Sequence, residues 1–248
     1  MPQYKSEPEH ELKSKHDNAT PYLSADYDAQ VRGTIPYYDS FHQETINLVR
    51  ASHSSPALWL DTGCGTGTLA SIALKAFPEV RFMLADPSVE MLGQARKKLA
   101  GYPQERVTFL DPVPTQEINI SESPDVITAI QSHHYFSEAG RAKACARCYD
   151  LLSPGGIYIT FENIRPLTER GTEIGKECWK NFQLSQGRTL EDVNRHIERF
   201  DKEFFPITAE EHLSLLRDCG FEAVELLWYS YMQAGFYAVK RSDAYRIK

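Results

Sequence analysis

Asp61-Thr62-Gly63-Cys64-Gly65-Thr66-Gly67 stands between the apolar run Ala57-Leu58-Trp59-Leu60 and a stretch carrying Leu69, Ile72, Ala73 and Ala76 at helical spacing. A short apolar run, a glycine-rich turn and a helical period together read as strand, tight turn and helix. Glycines at every second position suit a chain that must turn sharply and let a ligand reach its backbone, because a Cβ obstructs both. The acid closing the strand puts a carboxylate at the mouth of any crevice formed there.

The unit repeats downstream. Arg81-Phe82-Met83-Leu84-Ala85 ends in Asp86, and Pro87-Ser88 opens a helix reaching residue 99, with Ser88 as its cap. Further strands are expected over 107–110, 125–130 and 157–161. The fourth leads into a loop containing Gln131, Ser132, His133 and His134, and a helix over 138–152 is stopped by Ser153-Pro154-Gly155-Gly156. Such alternation implies a parallel sheet covered on both faces by right-handed crossovers, with a ligand at the carboxyl ends of the strands.

After the fifth strand the alternation fails. Residues 164–205 are polar, Arg-rich and helical in composition, an insertion placed to pass over the crevice as a lid. Thr208-Ala209-Glu210-Glu211 has the form of a capping box and opens a helix that ends at Cys219-Gly220. The last two strands, 221–229 and 233–239, lie too close together for a crossover helix and are expected to form an antiparallel hairpin. Upstream, a helix is expected over 34–51. The chain thus divides into a flexible polar tail (1–25), a helical cover (26–55) and one α/β domain (56–241) that contains the lid.

Composition narrows the function classes. The 248 residues are 42% hydrophobic and 25% charged, as in an ordinary globular protein, and no apolar run approaches the ~18 residues of a membrane span. The start carries no apolar h-region, so a soluble cytoplasmic protein is the expectation. A net charge of −7 argues against general RNA or DNA binding, which rests on clustered Lys and Arg. Of five cysteines, Cys145 and Cys148 form a local pair, but no second pair or His-x-x-x-His lies nearby. A zinc site needs about four ligands, so reduced thiols on the buried side of a helix are expected, and no metal.

The glycine turn alone says only that a nucleotide-like ligand approaches. Gly65-Thr66-Gly67-Thr68-Leu69-Ala70 even satisfies the loose dinucleotide pattern, so a nicotinamide oxidoreductase is a rival reading. Asp61 weighs against it: a carboxylate is unwelcome beside a pyrophosphate but suits the ammonium of an amino-acid-bearing cofactor. S-adenosylmethionine has that ammonium and no phosphate. Asp86 can accept hydrogen bonds from a ribose diol, Asp111 can receive the adenine amino group, and Met91 can pack on the adenine face. His133 and His134, in the loop beside the transferred methyl, are the candidate bases, with a structural role as the alternative. In the lid, Arg165, Arg170, Trp179, Phe182, Arg188, Arg195 and Arg199 either meet an anionic or planar acceptor or form an ordinary solvated helix face. Tyr27, Arg32, Tyr37, Tyr38 and His42 make a similar upstream cluster.

Residues 60–67 (LDTGCGTG), 84–92 (LADPSVEML) and 109–112 (FLDP) resemble the successive cofactor motifs of class I S-adenosylmethionine-dependent methyltransferases. The resemblance covers roughly residues 57–240 and implies a Rossmann-like fold, a seven-stranded, mostly parallel sheet ending in the antiparallel hairpin. It also implies that Asp61, Gly63, Cys64, Gly65 and Gly67 hold the methionine part, Asp86 the ribose, Asp111 the adenine, and Gln131 the cofactor near its sulfonium. A second likeness is to the carboxy-S-adenosylmethionine synthases of tRNA modification, carried by Val31-Arg32-Gly33-Thr34-Ile35-Pro36-Tyr37-Tyr38 and Phe221-Glu222-Ala223-Val224-Glu225-Leu226-Leu227-Trp228. It implies that Tyr38 reaches the cofactor. Those synthases differ in the glycine turn, and they place an Arg for the extra carboxylate where this chain has Ile197, flanked by Arg195 and Arg199. The expected activity is direct displacement at the methyl carbon onto a small-molecule acceptor, giving S-adenosylhomocysteine. The rivals are a synthase acting on the cofactor itself and a non-catalytic cofactor-binding module.

Overall fold

The structure, a computed structural model, describes residues 17–53 and 55–242. Its sheet comprises β1 (Leu58–Thr62), β2 (Arg81–Ala85), β3 (Val107–Phe109), β4 (Val126–Ile130), β5 (Ile157–Asn163), β6 (Ala223–Ser230) and β7 (Gln233–Val239). The strands lie in the order β3-β2-β1-β4-β5-β7-β6. The first five pair in parallel, while β7 runs antiparallel to both β5 and β6. From β1 the chain steps outward to β2 and β3, then returns to place β4 on the other side of β1. At that switch the connections leave in opposite directions, and a crevice opens at the carboxyl ends of β1 and β4.

Burial on both faces explains the near-continuous apolar strands. Trp59, Phe82, Val126, Ile157, Ile159 and Phe161 face one core, and Leu60, Ile127, Tyr158 and Phe236 the other. Helices α3 (Thr68–Ala76), α4 (Val89–Lys98), α5 (Glu138–Leu151) and α8 (Ala209–Asp218) cover them. Ser88 caps α4 by accepting the Met91 N–H, and Thr208 with Glu211 completes the capping box of α8. Cys145 and Cys148 are buried free thiols on the core side of α5, their pKa values pushed up by burial. Among the described residues, no cluster of His, Cys, Asp and Glu could hold a metal ion, and no helix is long and apolar enough to cross a membrane.

The upstream region departs from expectation in two ways. The helix expected over 34–51 is α2 (Tyr38–Ser52), preceded by the short α1 (Tyr27–Gln30) and a tight turn over Val31–Gly33. Pro36 disfavours a helical Ile35, and Tyr37 turns left-handed at φ 58, so the helix starts only after it. The polar tail expected over 1–25 divides: residues 1–16 lie outside the described residues, whereas residues 17–23 form a strap folded onto the domain. Lys98 Nζ, Thr66 and Thr68 all bond the Asp28 carboxylate, at 2.6, 2.6 and 3.1 Å, which pins α1 to the glycine turn.

The insertion after β5 contributes two helices, α6 (Glu169–Ser185) and α7 (Leu190–Ile197). Its Trp179 is fully buried and donates its indole N–H to the Thr34 carbonyl at 2.7 Å, and Phe200 and Phe204 are buried with it, while Phe205 is exposed. Lid and upstream cover are therefore one packed unit over the crevice.

Candidate active site

Asp61 ends β1 with a side chain only 2% exposed. The Trp59 indole donates to Thr128 Oγ1 at 2.9 Å, and the Thr128 hydroxyl donates in turn to Asp61 Oδ1 at 2.7 Å. Burial pushes the Asp61 carboxyl up to about 7, opposed by the Thr128 hydrogen bond and reinforced by the charge of Asp86. No cation pairs with it among the described residues. A buried carboxylate held by one hydroxyl is incompletely satisfied, and a bound cation would complete it.

The glycine turn follows, with Gly63, Gly65 and Gly67 all left-handed. At Gly63 a Cβ would stand 2.5 Å from the Ser132 Cβ, so the turn seats directly against the loop after β4. Gly63→Ala is expected to destabilise the protein by about 2 kcal/mol, from overpacking plus a strained φ, measurable by denaturant unfolding. At Gly65 a Cβ would meet no atom within 4 Å, which is the open side of the turn. The Gly65 N–H donates to Asp86 Oδ2 and the Ser88 N–H to Asp86 Oδ1, both at 2.9 Å. Burial nevertheless raises Asp86 to about 6, these two bonds opposing it.

Two adjoining hollows lie here. The larger, about 210 Å³, is lined by Gly63, Gly65, Asp86, Met91 and Gln131 of the expected site, together with Thr115, Ser132, Tyr135 and Phe136. The smaller recess is lined by Tyr38, His42, Asp61, Gly63, Cys64 and Gly65. Tyr27 and Ile130 border both. Gln131 is held by its N–H to the Phe161 carbonyl at 2.6 Å, in a left-handed conformation (φ 56) that aims the loop across the crevice.

Four expected residues fall elsewhere. Asp111 is exposed in the loop after β3 and borders neither hollow, because β3 ends two residues earlier and the chain turns outward. Gly67 caps α3 and packs under Ala95, where a Cβ would come within 3.1 Å. His133 and His134 are each 1% exposed and border neither hollow. His133 lies between Thr115 Oγ1 and the Tyr158 hydroxyl, both at 3.1 Å, and burial lowers its pKa to about 4. His134 Nδ1 lies 2.7 Å from a Glu162 carboxylate oxygen, and its Nε2 lies 3.1 Å from the Asn163 side-chain amide. Both candidate bases are hydrogen-bonded inside the loop, where Glu162 also accepts the N–H groups of His133 and His134 and the Thr160 hydroxyl.

Sequence reasoning missed the strap. Asp17, Asn18, Ala19 and Thr20 line the larger hollow, and Asp17 accepts the Ser88 hydroxyl at 2.5 Å and the Glu90 N–H at 3.1 Å. This carboxylate sits at the positive end of α4. Nothing in a polar, aperiodic stretch signalled that contact. Tyr135, which also borders the larger hollow, carried no signal in the sequence either. Of the lid arginines, Arg195 is exposed and paired with Glu191 and Asp192, while Ile197 packs against the core. Arg199 is 7% exposed, bonds Glu203 and the Ala19 carbonyl at 2.6 Å each, and borders an inner hollow with Tyr27, Gln131, Tyr135 and Asn163.

A carboxylate at the end of β1, a left-handed glycine turn, a second acid at the end of β2 and a sheet closed by an antiparallel strand define a Rossmann-like methyltransferase fold. Residues 60–158 match the model of a methyltransferase domain family. The chain is 24% identical over 216 residues to a carboxy-S-adenosyl-L-methionine synthase of Trichodesmium erythraeum, covering 86% of this chain and 85% of that one. It is 36% identical over 110 residues to a trans-aconitate 2-methyltransferase of Acidovorax sp., 44% of this chain and 40% of that enzyme. In fold it is similar to an S-adenosylmethionine-bound amino pentose methyltransferase of Micromonospora echinaspora, with a TM-score of 0.60 at 18% identity, covering 86% of this chain and 96% of that one. Other similar solved structures are longer, and the chain spans 60% of their length. Together these likenesses support a class I S-adenosylmethionine-dependent methyltransferase, with the family match itself confined to residues 60–158.

Proposed function

We propose that the chain binds S-adenosylmethionine with its amino-acid end in the Asp61 recess and its nucleoside in the larger hollow, and passes the methyl group to a small acceptor. The observation that carries this is Asp61, a buried carboxylate with one hydroxyl partner in a recess lined by left-handed glycines. It calls for a cation, which an ammonium supplies and a pyrophosphate does not. Asp86 offers its carboxylate to the ribose, and Met91 its thioether to the adenine. Asp111 has no part in this reading, and Thr115 is among the residues that line the hollow.

The transfer forms a bond from acceptor to methyl carbon as the carbon–sulfur bond breaks and its electron pair returns to sulfur, leaving S-adenosylhomocysteine. The protein's contribution is alignment and exclusion of water. No histidine borders the larger hollow, and the one beside the inner hollow, His196, has its pKa lowered to about 3 by burial and its Nδ1 on the Gln183 amide at 3.1 Å, which favours an acceptor that needs no base, such as a carboxylate or a free amine. The inner hollow lies between strap, lid and strand ends, bordered by Thr20, Tyr135, Asn163, His196 and Arg199.

Calorimetric titration with S-adenosylmethionine, S-adenosylhomocysteine and NADH tests the cofactor. Binding of the two sulfur compounds alone is the expected result, and binding of NADH alone would overturn it. A second reading, a synthase that builds a carboxylated cofactor, is favoured by Arg199 beside the inner hollow and by the length of the likeness to the synthases. Against it, that guanidinium is already engaged by Glu203 and Ala19. Mass spectrometry of ligand carried through purification separates the two: a carboxylated cofactor supports the synthase.

A further inference from the structure

Tyr38 and His42 stand one turn apart on α2 with their rings in edge contact at 4.8 Å, and both border the recess that Asp61 also lines. His42 is 2% exposed, and its Nδ1 has no hydrogen-bond partner among the described residues. A buried polar atom without a partner is costly, and the side chain that carries this one borders the recess. Burial lowers the His42 pKa to about 4, so the ring is neutral and has a single N–H to offer. The charged groups around it, Asp39 and Asp28 against Arg32 and Lys98, are of both signs.

An amino-acid end is a zwitterion and needs an acceptor for its ammonium and a donor for its carboxylate. The recess has an acceptor in Asp61. We propose that His42 is the donor, giving its Nδ1 proton to the carboxylate of the cofactor's amino-acid end. This rests on the cofactor reading above. It makes His42 a binding residue for the methionine moiety and gives the upstream cover a direct contact with the cofactor.

The test compares S-adenosylhomocysteine with 5′-methylthioadenosine, which keeps the nucleoside and sulfur but lacks the amino acid. His42→Leu is expected to weaken S-adenosylhomocysteine at least tenfold and leave 5′-methylthioadenosine unchanged. His42→Asn, whose side-chain amide falls where Nδ1 lies, is expected to recover most of the loss. Equal losses for both ligands, or none for either, overturn the proposal and leave the cofactor reading standing. A wild-type chain that binds neither ligand overturns both. Should the variants not fold, nitrogen NMR of the wild-type imidazole decides: the His42 Nδ1 resonance is expected to move with S-adenosylhomocysteine and stay with 5′-methylthioadenosine, and an unmoved resonance with both overturns the assignment.

Discussion

Asp61→Asn is expected to abolish measurable binding of S-adenosylhomocysteine and, at the same time, to raise the melting temperature of the free protein at pH 8. Both effects come from one buried charge. Burial holds the folded-state pKa at about 7, against ~3.9 for an unfolded chain. The folded state therefore takes up the proton first as pH falls. The penalty for keeping the carboxylate ionised is absent below the unfolded value, grows as pH rises, and is complete above about 7. The gap between the folded and unfolded values sets its ceiling at about 4 kcal/mol. The amide escapes that penalty, still accepts the Thr128 hydroxyl and has no charge for an ammonium. The stability gain should vanish near pH 4, where the wild-type carboxyl is also neutral. A variant that binds with wild-type affinity, or melts below the wild type at pH 8, would refute this account.

The same pKa shapes cofactor affinity. An ammonium binds the ionised carboxylate, so below pH 7 binding must first expel a proton, and affinity is expected to fall by up to about tenfold per pH unit. Asp86, raised to about 6, adds a second step below that value. His42 is neutral throughout, and burial raises the phenols of Tyr27 and Tyr38, so none of the three titrates there. Titrations at pH 8, 7 and 6 measure the slope.

Glu162→Gln is expected to destabilise the protein by about 3 kcal/mol, lowering its melting temperature by roughly 6–12 °C at neutral pH. Burial alone would raise the Glu162 pKa, but the His134 hydrogen bond and charge, aided by His133 and Thr160, hold it down at about 2. Its stabilisation is present above the ordinary carboxylate range and is lost only as pH falls toward 2. Four donors converge on its two oxygens, and an amide turns its NH₂ toward one or two of them. The loop from Gln131 to Tyr135 would lose its anchor, so cofactor affinity should fall with stability. If thermal melts and denaturant curves match the wild type while binding alone changes, Glu162 belongs to the cofactor site and not to its scaffold.

Much of this was legible in one dimension. Strand, glycine turn and helix at 57–76, the repeat ending at Asp86 and the closing hairpin depend on local periodicity and on residues whose conformational range is narrow, which a sequence carries directly. The fold class and the acids and glycines at the strand ends followed from it. Asp111 and the two histidines did not: a position after a strand says where the chain goes next, but not which way a side chain faces. His133 and His134 look like reactive loop residues until Thr115, Tyr158, Glu162 and Asn163, brought in from other segments, occupy their ring nitrogens. The strap at 17–23 has no periodicity because it packs through single polar contacts with α4 and Arg199. Periodic burial is written into neighbouring residues, and so the sequence by itself determined the sheet, the crevice and the Asp61 turn. Which polar groups are left unpartnered at that crevice depends on contacts between distant segments, so only the tertiary structure decided the surroundings of His42, Glu162 and the strap.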